Sequence, residues 1–423
     1  MWPFKPVVKS THRVEVVPVV LEKHPNADTL STVRIAGYQL VVRTVEWEGV
    51  TKGAYIQPDS MVNPEDPTFA FLGRAIKDST GIVIGNEPLR RQDCRITAKK
   101  FRGQRSEGLL VAAPRGSRIG DNVAGKLGIT RYVSPQDLAE AQAAELQKSW
   151  WKRINNKGRM GLSFAGNERG PSIWIPVYDL ENWYRYPTMF KEDDNVVVTE
   201  KIHGCNSRFV YSSADKRMYA GSHRTWKKPY TDLRPTSLLG RIAVKLHLSK
   251  PFRVEAQDDW NLCLRQNPAI ETFCRANPDH VLFGEIYGDV QDLTYGCQKG
   301  ERKFIAFDVF EKGAWWTFQR VSAFCTQFKI PQVPVLYIGA YNEVELRKHI
   351  DGKTVTGSDR NQMREGCVIR LWNTEVTNEE RGMPGRKTLK AVSSAYLERS
   401  SKDEEPPIND RIREGDKSVH RYE

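Results

Sequence analysis

The stretch VVVTEKIHGCNSRFVY, Val196 to Tyr211, decides how the rest of the chain is read. VVV and RFVY carry the β-branched and aromatic bias of strands, so the segment reads as strand, short polar turn, strand. Lys201, His203, Gly204 and Asn206 occupy the turn region. A lysine at the mouth of such a turn, followed by a glycine that lets a ligand approach the backbone, suits a nucleophile facing a phosphate. By itself K-x-x-G describes any solvated hairpin, so the reading rests on what accompanies it downstream.

The chain has 423 residues, enough for two or three domains, with 39% hydrophobic and 27% charged residues. That composition is globular, and no apolar run is long enough to cross a bilayer, so no membrane role is expected. MWPFKPVVKS lacks the apolar core of a signal peptide. The seven cysteines are scattered and never spaced C-x-x-C. Reduced thiols in a cytoplasmic compartment are expected, with neither a disulfide framework nor a zinc site. A net charge of +12 points to a polyanionic partner.

Residues 1–125 read as a small all-β, OB-like module. VEVVPVVLEKH, STVRIAG, YQLVVRTVEW, GAYIQP, CRITAKKFRG and SEGLLVAAP are short strand-like runs separated by turn residues. HPNADTL resembles the opening of an OB-type nucleic-acid-binding module. Arg95, Lys99, Lys100, Arg102 and Arg105 interleave with Phe101 along one segment. They fit either a phosphate-tracking face with one stacking ring or a lysine-protected edge strand. The segment 69–89 shows no period and is expected to be a loop. Residues 126–172 hold a helix from Ser134 to about Trp151 and a linker. Residues 173–400 read as an α+β domain with strands at 195–200, 206–213, 281–287, 303–310, 334–338, 366–372 and 387–392. Two helices are expected between Ser237 and Ala276, and the charged tail 401–423 is expected to be disordered.

Five fragments follow Lys201 in order: AGSHRTWKK with Arg224, VLFGEIYG with Glu285, FIAFDVF with Phe307 and Asp308, REGCVIRLW with Glu365 and Arg370, and RKTLKAVSSAYLE with Lys387 and Lys390. Three of them set a carboxylate in or beside an apolar strand, which is costly unless the charge is paired or bound to metal. One such fragment is a structural ion pair; the ordered set calls for another explanation.

The series resembles the nucleotidyltransferase motifs of the covalent ligase and capping-enzyme superfamily, over roughly residues 176–398. EKIHGCN is similar to the RNA ligase branch, with histidine where DNA ligases and capping enzymes have aspartate. Two departures stand out: Thr388 occupies the place two before Lys390 where a lysine is usual, and His223 lies between Ser222 and Arg224. The resemblance implies an adenylyltransferase fold behind an OB-type domain, ATP as AMP donor, Mg²⁺ or Mn²⁺ as cofactor, and RNA as partner. A nicked duplex or an RNA–DNA hybrid would both serve, and a monomer is expected. Lys201 would attack the α-phosphate of ATP as a neutral amine, with Lys390 and Arg370 supplying the field that lowers its pKa. Glu365 and Glu285 would hold the metal. Glu200 would lie near adenine, Glu285 near the ribose, and Phe307 would stack on the base unless it packs in the core. His203 and Asn206 would position phosphate or metal-bound water. Arg224, Asp308 and Lys387 complete the candidate nucleotide site. The competing functions are a DNA ligase or capping enzyme, and a non-catalytic RNA-binding protein with a decayed nucleotide site.

Overall fold

The structure, a computed structural model, describes residues 12–73, 75–80, 82–89, 94–133, 166–233, 252–374 and 386–398. The expected helix at 134–151, most of the linker, the first helix expected after Ser237 and the charged tail lie outside the described residues.

The N-terminal module is built on β1 (Glu15–Pro18), β2 (Leu30–Ile35), β3 (Tyr38–Arg43), β4 (Lys52–Ile56), β5 (Ala98–Phe101), β6 (Gln104–Glu107) and β7 (Leu109–Ala112). β4 is central, pairing antiparallel with β1 and β7. In β3 the alternating YQLVVR buries every second residue, as a half-buried strand must. Arg102 and Gly103, at φ 46° and 83°, close the β5–β6 hairpin as a two-residue primed turn requires. Val16, Ile56, Phe69, Val111 and Ile129 lie in the core. The last pairing, Thr130–Arg131 on Ser60–Met61, falls beyond residue 125. The segment 69–89 is not a plain loop. It holds the end of a 3₁₀ turn, Pro67–Leu72, and a hairpin of Ala75–Lys77 with Val83–Asn86. Ile82 and Ile84 are exposed there, so the alternation that marks a half-buried strand is missing.

The larger domain faces two sheets across a cleft. Its strands are β8 (Asn195–Lys201), β9 (Cys205–Ser212), β10 (Arg217–Gly221), β11 (Val281–Gly288), β12 (Arg302–Glu311), β13 (Val335–Ala340), β14 (Gly366–Leu371) and β15 (Thr388–Val392). A five-stranded sheet runs Glu181–Asn182, β15, β14, β8, β13. A seven-stranded sheet runs Asn167–Glu168, Trp226–Lys227, β10, β9, β11, β12, Ala314–Trp315. Its helices are α1 (Asp259–Gln266), α2 (Pro268–Ala276), α3 (Phe318–Phe328), α4 (Glu343–Ile350) and α5 (Ser394–Glu398). The apolar stretch after Asp258 is broken into α1 and α2 at Asn267–Pro268, where proline opens the second helix. The seven cysteines are free thiols. No helix among the described residues is long and apolar enough to cross a membrane.

The strand–turn–strand around Lys201 is not a hairpin. β8 belongs to the five-stranded sheet and β9 to the seven-stranded one, so Ile202–Gly204 carries the chain from one sheet to the other. Lys201 therefore sits where the two sheets part.

The N-terminal module is not a separate bead. Tyr38, Trp47, Tyr55 and Leu110 share one core with Trp183, Tyr184, Val196 and Leu371 of the larger domain. The Gly37 amide donates to the Tyr184 carbonyl at 2.8 Å, and Arg105 pairs with Asp351 at 3.2 Å. The basic segment is accordingly divided. Arg95 is fixed on Asp59 at 2.9 Å and over the Tyr132 ring at 3.9 Å. Arg105 faces the joint, while Lys100 and Arg102 are exposed. HPNADTL braces the β5–β6 turn: the His24 ring meets the Phe101 carbonyl, and Asn26 donates to the Arg102 carbonyl.

Candidate active site

Lys201 ends β8 in register with Gly366 on β14, which brings Glu365 alongside it. Its Nζ lies 2.6 Å from Glu365 Oε1, and the lysine side chain is 24% exposed. Burial pulls the Lys201 pKa down, but Glu365 and Glu285 pull it up further, so the net shift is upward. The expectation that flanking cations depress it therefore does not describe this state: the nearest charges are carboxylates. Glu285, on β11, is pushed up to about 8, chiefly by burial, with Lys201 opposing and Glu365 adding to the rise. Lys390, on β15, is shifted down, first by burial and then by Lys201 and Arg131 against the pull of Asp179. All three face one cleft of about 340 Å³ or its wall.

Gly204 has a different role from the one its position suggested. A Cβ there would lie 2.1 Å from the Ile286 carbonyl oxygen, so the close approach is between β11 and the crossover, not between backbone and ligand. Its amide donates to Glu285. His203 is locked on three sides: its amide donates to the Tyr295 hydroxyl at 2.7 Å, Nε2 meets Asp292 at 2.7 Å, and Nδ1 meets the Tyr396 hydroxyl at 2.9 Å. Asp292 can only accept when ionised, which places a proton on Nε2. Asn206 pairs across the ladder with Glu285, and its buried Oδ1 has no partner among the described residues.

Phe307 reaches the cleft through a β-bulge. Phe283 pairs with Asp308 and Gly284 with Ala306, leaving Phe307 as the extra residue. Its ring lies 4.6 Å from that of Tyr178, and both line the cleft with Leu180, Phe318, Val333 and Val368. Glu200 forms part of the wall, yet its carboxylate is spoken for. It accepts from the Thr354 hydroxyl, from the Val355 amide at 3.0 Å and from the Thr356 hydroxyl at 3.1 Å. A loop after α4 is thereby fastened to the cleft.

The remaining candidates are placed elsewhere. Asp308 is fully buried and does not line the cleft. It accepts from Arg370 at 3.1 Å, Arg386 at 2.5 Å and the Tyr178 hydroxyl at 3.1 Å. Arg370 does touch the cleft, but its guanidinium is given to Asp308 and the Trp316 carbonyl, so it supplies little field at Lys201. Lys387 pairs with Asp194 at 2.5 Å, outside the lining. Strand alternation explains this: Thr388 and Lys390 share one face of β15, and Lys387 precedes them on the other. Arg224 is exposed, whereas its neighbours Ser222 and His223 line the cleft. The residues that sequence reasoning missed are Tyr178, Asp179, Gln291, Asp292 and Tyr396. They lie in irregular segments or a short terminal helix, where no periodicity marks them.

Among the described residues no group of three or more His, Cys, Asp or Glu side chains could hold a metal ion alone. Two carboxylates beside an unpartnered amide oxygen do suit a hard cation that keeps waters and shares phosphate oxygens.

Residues 194–392 match the RNA ligase family model, and residues 11–113 match an OB-fold domain. No curated protein matches the sequence significantly. Among solved structures the chain resembles Naegleria gruberi RNA ligase with PPi, at TM-score 0.60 and 20% identity over 92% of this chain and 98% of that one. A variant of the same ligase with ATP and Mn gives TM-score 0.60 and 20% identity, covering 91% and 98%. A variant with AMP and Mn gives 0.59 and 19%, again covering 91% and 98%. At that identity the likeness speaks for the fold. The chain therefore carries an RNA ligase family domain at residues 194–392 behind an OB-fold domain at residues 11–113.

Proposed function

We propose that this chain joins 5′-phosphate and 3′-hydroxyl RNA ends with ATP, through AMP carried on Lys201. The observation that supports it most is a half-buried lysine held 2.6 Å from Glu365 at the parting of two sheets, with Glu285 and Lys390 lining the same cleft. Among the described residues, Lys390 makes no hydrogen bond or ion pair through its ammonium, which leaves that charge available to a phosphate.

The first step forms a bond from Lys201 Nζ to the α-phosphorus and breaks the bond to the β-phosphate oxygen, releasing pyrophosphate. Lys201 must lose a proton to attack, and Glu365, 2.6 Å from its Nζ, is the group placed to take it. Lys390, on the cleft wall, favours the neutral form of Lys201 and the negative α-phosphate together. Phe307 and Tyr178 offer the adenine an aromatic wall. Glu365 and Glu285, with Asn206 Oδ1 beside them, are the residues that would hold Mg²⁺ or Mn²⁺. When bound, that ion neutralises charge developing on the phosphates. AMP then passes to the RNA 5′-phosphate, and the 3′-hydroxyl displaces it. A nick in a duplex or an RNA–DNA hybrid would both present such ends, and a cytoplasmic monomer would suffice.

The test is incubation with radiolabelled ATP or GTP. An acid-labile protein adduct with ATP, mapped to Lys201, is the expected result. Labelling by GTP alone would mean a capping-type reaction, and no labelling would favour an RNA-binding protein.

A further inference from the structure

Resting on the reading of Lys201 as the AMP carrier, we infer that Tyr396 is a positioning residue for that step, and that the N-terminal barrel sets its place. The chain of contacts is short and continuous. Arg105 on β6 pairs with Asp351, the residue that ends α4. Asp351 also accepts from the Ser393 hydroxyl at 2.7 Å and the Ser394 amide at 3.1 Å, which open α5. The buried Ser394 hydroxyl lies 3.5 Å from Glu107, also on β6, and α5 packs on β5. The barrel thus grips the start of α5 from two sides.

One half-turn on, α5 delivers the Tyr396 hydroxyl to His203 Nδ1 at 2.9 Å, ring against ring at 64°. His203 Nδ1 is also 3.8 Å from Glu365 Oε2, whose other oxygen holds Lys201. Nδ1 and Glu365 Oε2, both acceptors while the ring proton is on Nε2, thus face each other beside Lys201. With Tyr396 on Nδ1 and Asp292 on Nε2, the imidazole has both nitrogens occupied and Glu365 is left to the lysine. Without the hydroxyl, the Nδ1 lone pair faces Glu365 Oε2, acceptor against acceptor, and the carboxylate is pushed off its place beside Lys201. The barrel thereby fixes the geometry of the first chemical step.

The inference predicts a coupling between residues on different domains, which a double-mutant cycle measures in the full-length protein. Tyr396→Phe keeps the ring and removes only the hydroxyl. It should slow single-turnover adduct formation about tenfold, the size expected for one buried hydrogen bond, with the half-saturating ATP concentration unchanged. Arg105→Ala should slow it in the same way, and Arg105→Lys should recover part of the loss. In Tyr396→Phe, adding Arg105→Ala should cost little more. Melting temperatures, taken alongside, identify any variant whose loss is unfolding; for such a variant Asp351→Asn replaces Arg105→Ala in the cycle. Unchanged adduct formation in Tyr396→Phe, or effects that simply multiply in the double variant, would overturn the coupling while leaving Lys201 as carrier. If wild-type protein forms no adduct with ATP, the underlying reading fails as well.

Discussion

Two clusters of paired charges lie within the same domain, and the sequence placed Lys201, Glu285, Glu365 and Lys390 of the one and Asp308 and Arg370 of the other in a single nucleotide site. Lys201, Glu285 and Lys390 line an open cleft, and Glu365 pairs with the Lys201 ammonium at 2.6 Å. Around Asp308, two arginines and a tyrosine close on one carboxylate with no solvent exposure. The first cluster has unequal partners: burial pushes the Glu285 carboxyl up, and burial with the charge of Lys201 pulls the Lys390 ammonium down. The second is balanced by its own hydrogen bonds and ties β12 to β14, Arg386 and the segment at Tyr178. The difference teaches that motif residues of like type divide into those a ligand can still reach and those already spent on the scaffold. A buried charge with all its acceptor sites filled has nothing left for a phosphate.

The sharpest way to separate the clusters is to remove the centre of each. Lys201→Ala should abolish the AMP adduct and the joining of 5′-phosphate ends, yet keep part of the closure of pre-adenylated RNA. Label retained at wild-type level in that variant would remove Lys201 from the carrier role. Asp308→Asn should do the reverse. Taking the charge from a buried network costs about 3–5 kcal/mol of stability, so urea unfolding should shift strongly, while the protein that remains folded still labels. A stable Asp308→Asn that cannot label would put Asp308 in the reactive cluster.

A smaller effect tests the boundary between the clusters. Phe307 adjoins Asp308 in sequence but faces the cleft. Phe307→Ala should weaken ATP use more than Phe307→Leu, by about 1–3 kcal/mol if the ring stacks on the base. Equal ATP dependence, with both variants losing only thermal stability, would assign the ring to the core.

The smallest effect concerns the barrel joint. Glu107 is buried there, and burial, outweighing the hydrogen bond from Gln39 and the attraction of Arg105, raises its pKa above 4.5. A carboxyl raised on folding stabilises fully below its unfolded pKa, and that contribution is lost as pH climbs through the folded value. The wild type should therefore lose some thermal stability as pH rises from about 4.5, and Glu107→Gln should flatten that slope. Parallel curves for the two proteins would show that Glu107 does not titrate differently on folding.

Much of this was open to sequence reading, and for physical reasons. VVVTEK, VLFGEIYG and GCVIRL are continuous apolar runs because their strands are covered on both sides, and runs of that kind survive inspection of a single chain. The carboxylates at their ends stand out because such residues are rarely buried without purpose. Helices α3 and α4 were not foreseen; in α4 only Leu346 and Ile350 are buried, so its apolar stripe is thin.

The sequence alone therefore determined most of the strands along the chain and singled out Lys201, since these follow from local composition and spacing. Tertiary structure decided where the charges point. A one-residue bulge turns Phe307 into the cleft beside a buried Asp308, and strand alternation sends Lys387 to Asp194 while Lys390 keeps the cleft. It also decided that β8 and β9 part into different sheets, and that a tyrosine from the last described helix closes on His203. Those outcomes depend on pairing between residues far apart in the chain, and the local pattern of side chains does not encode which partner arrives.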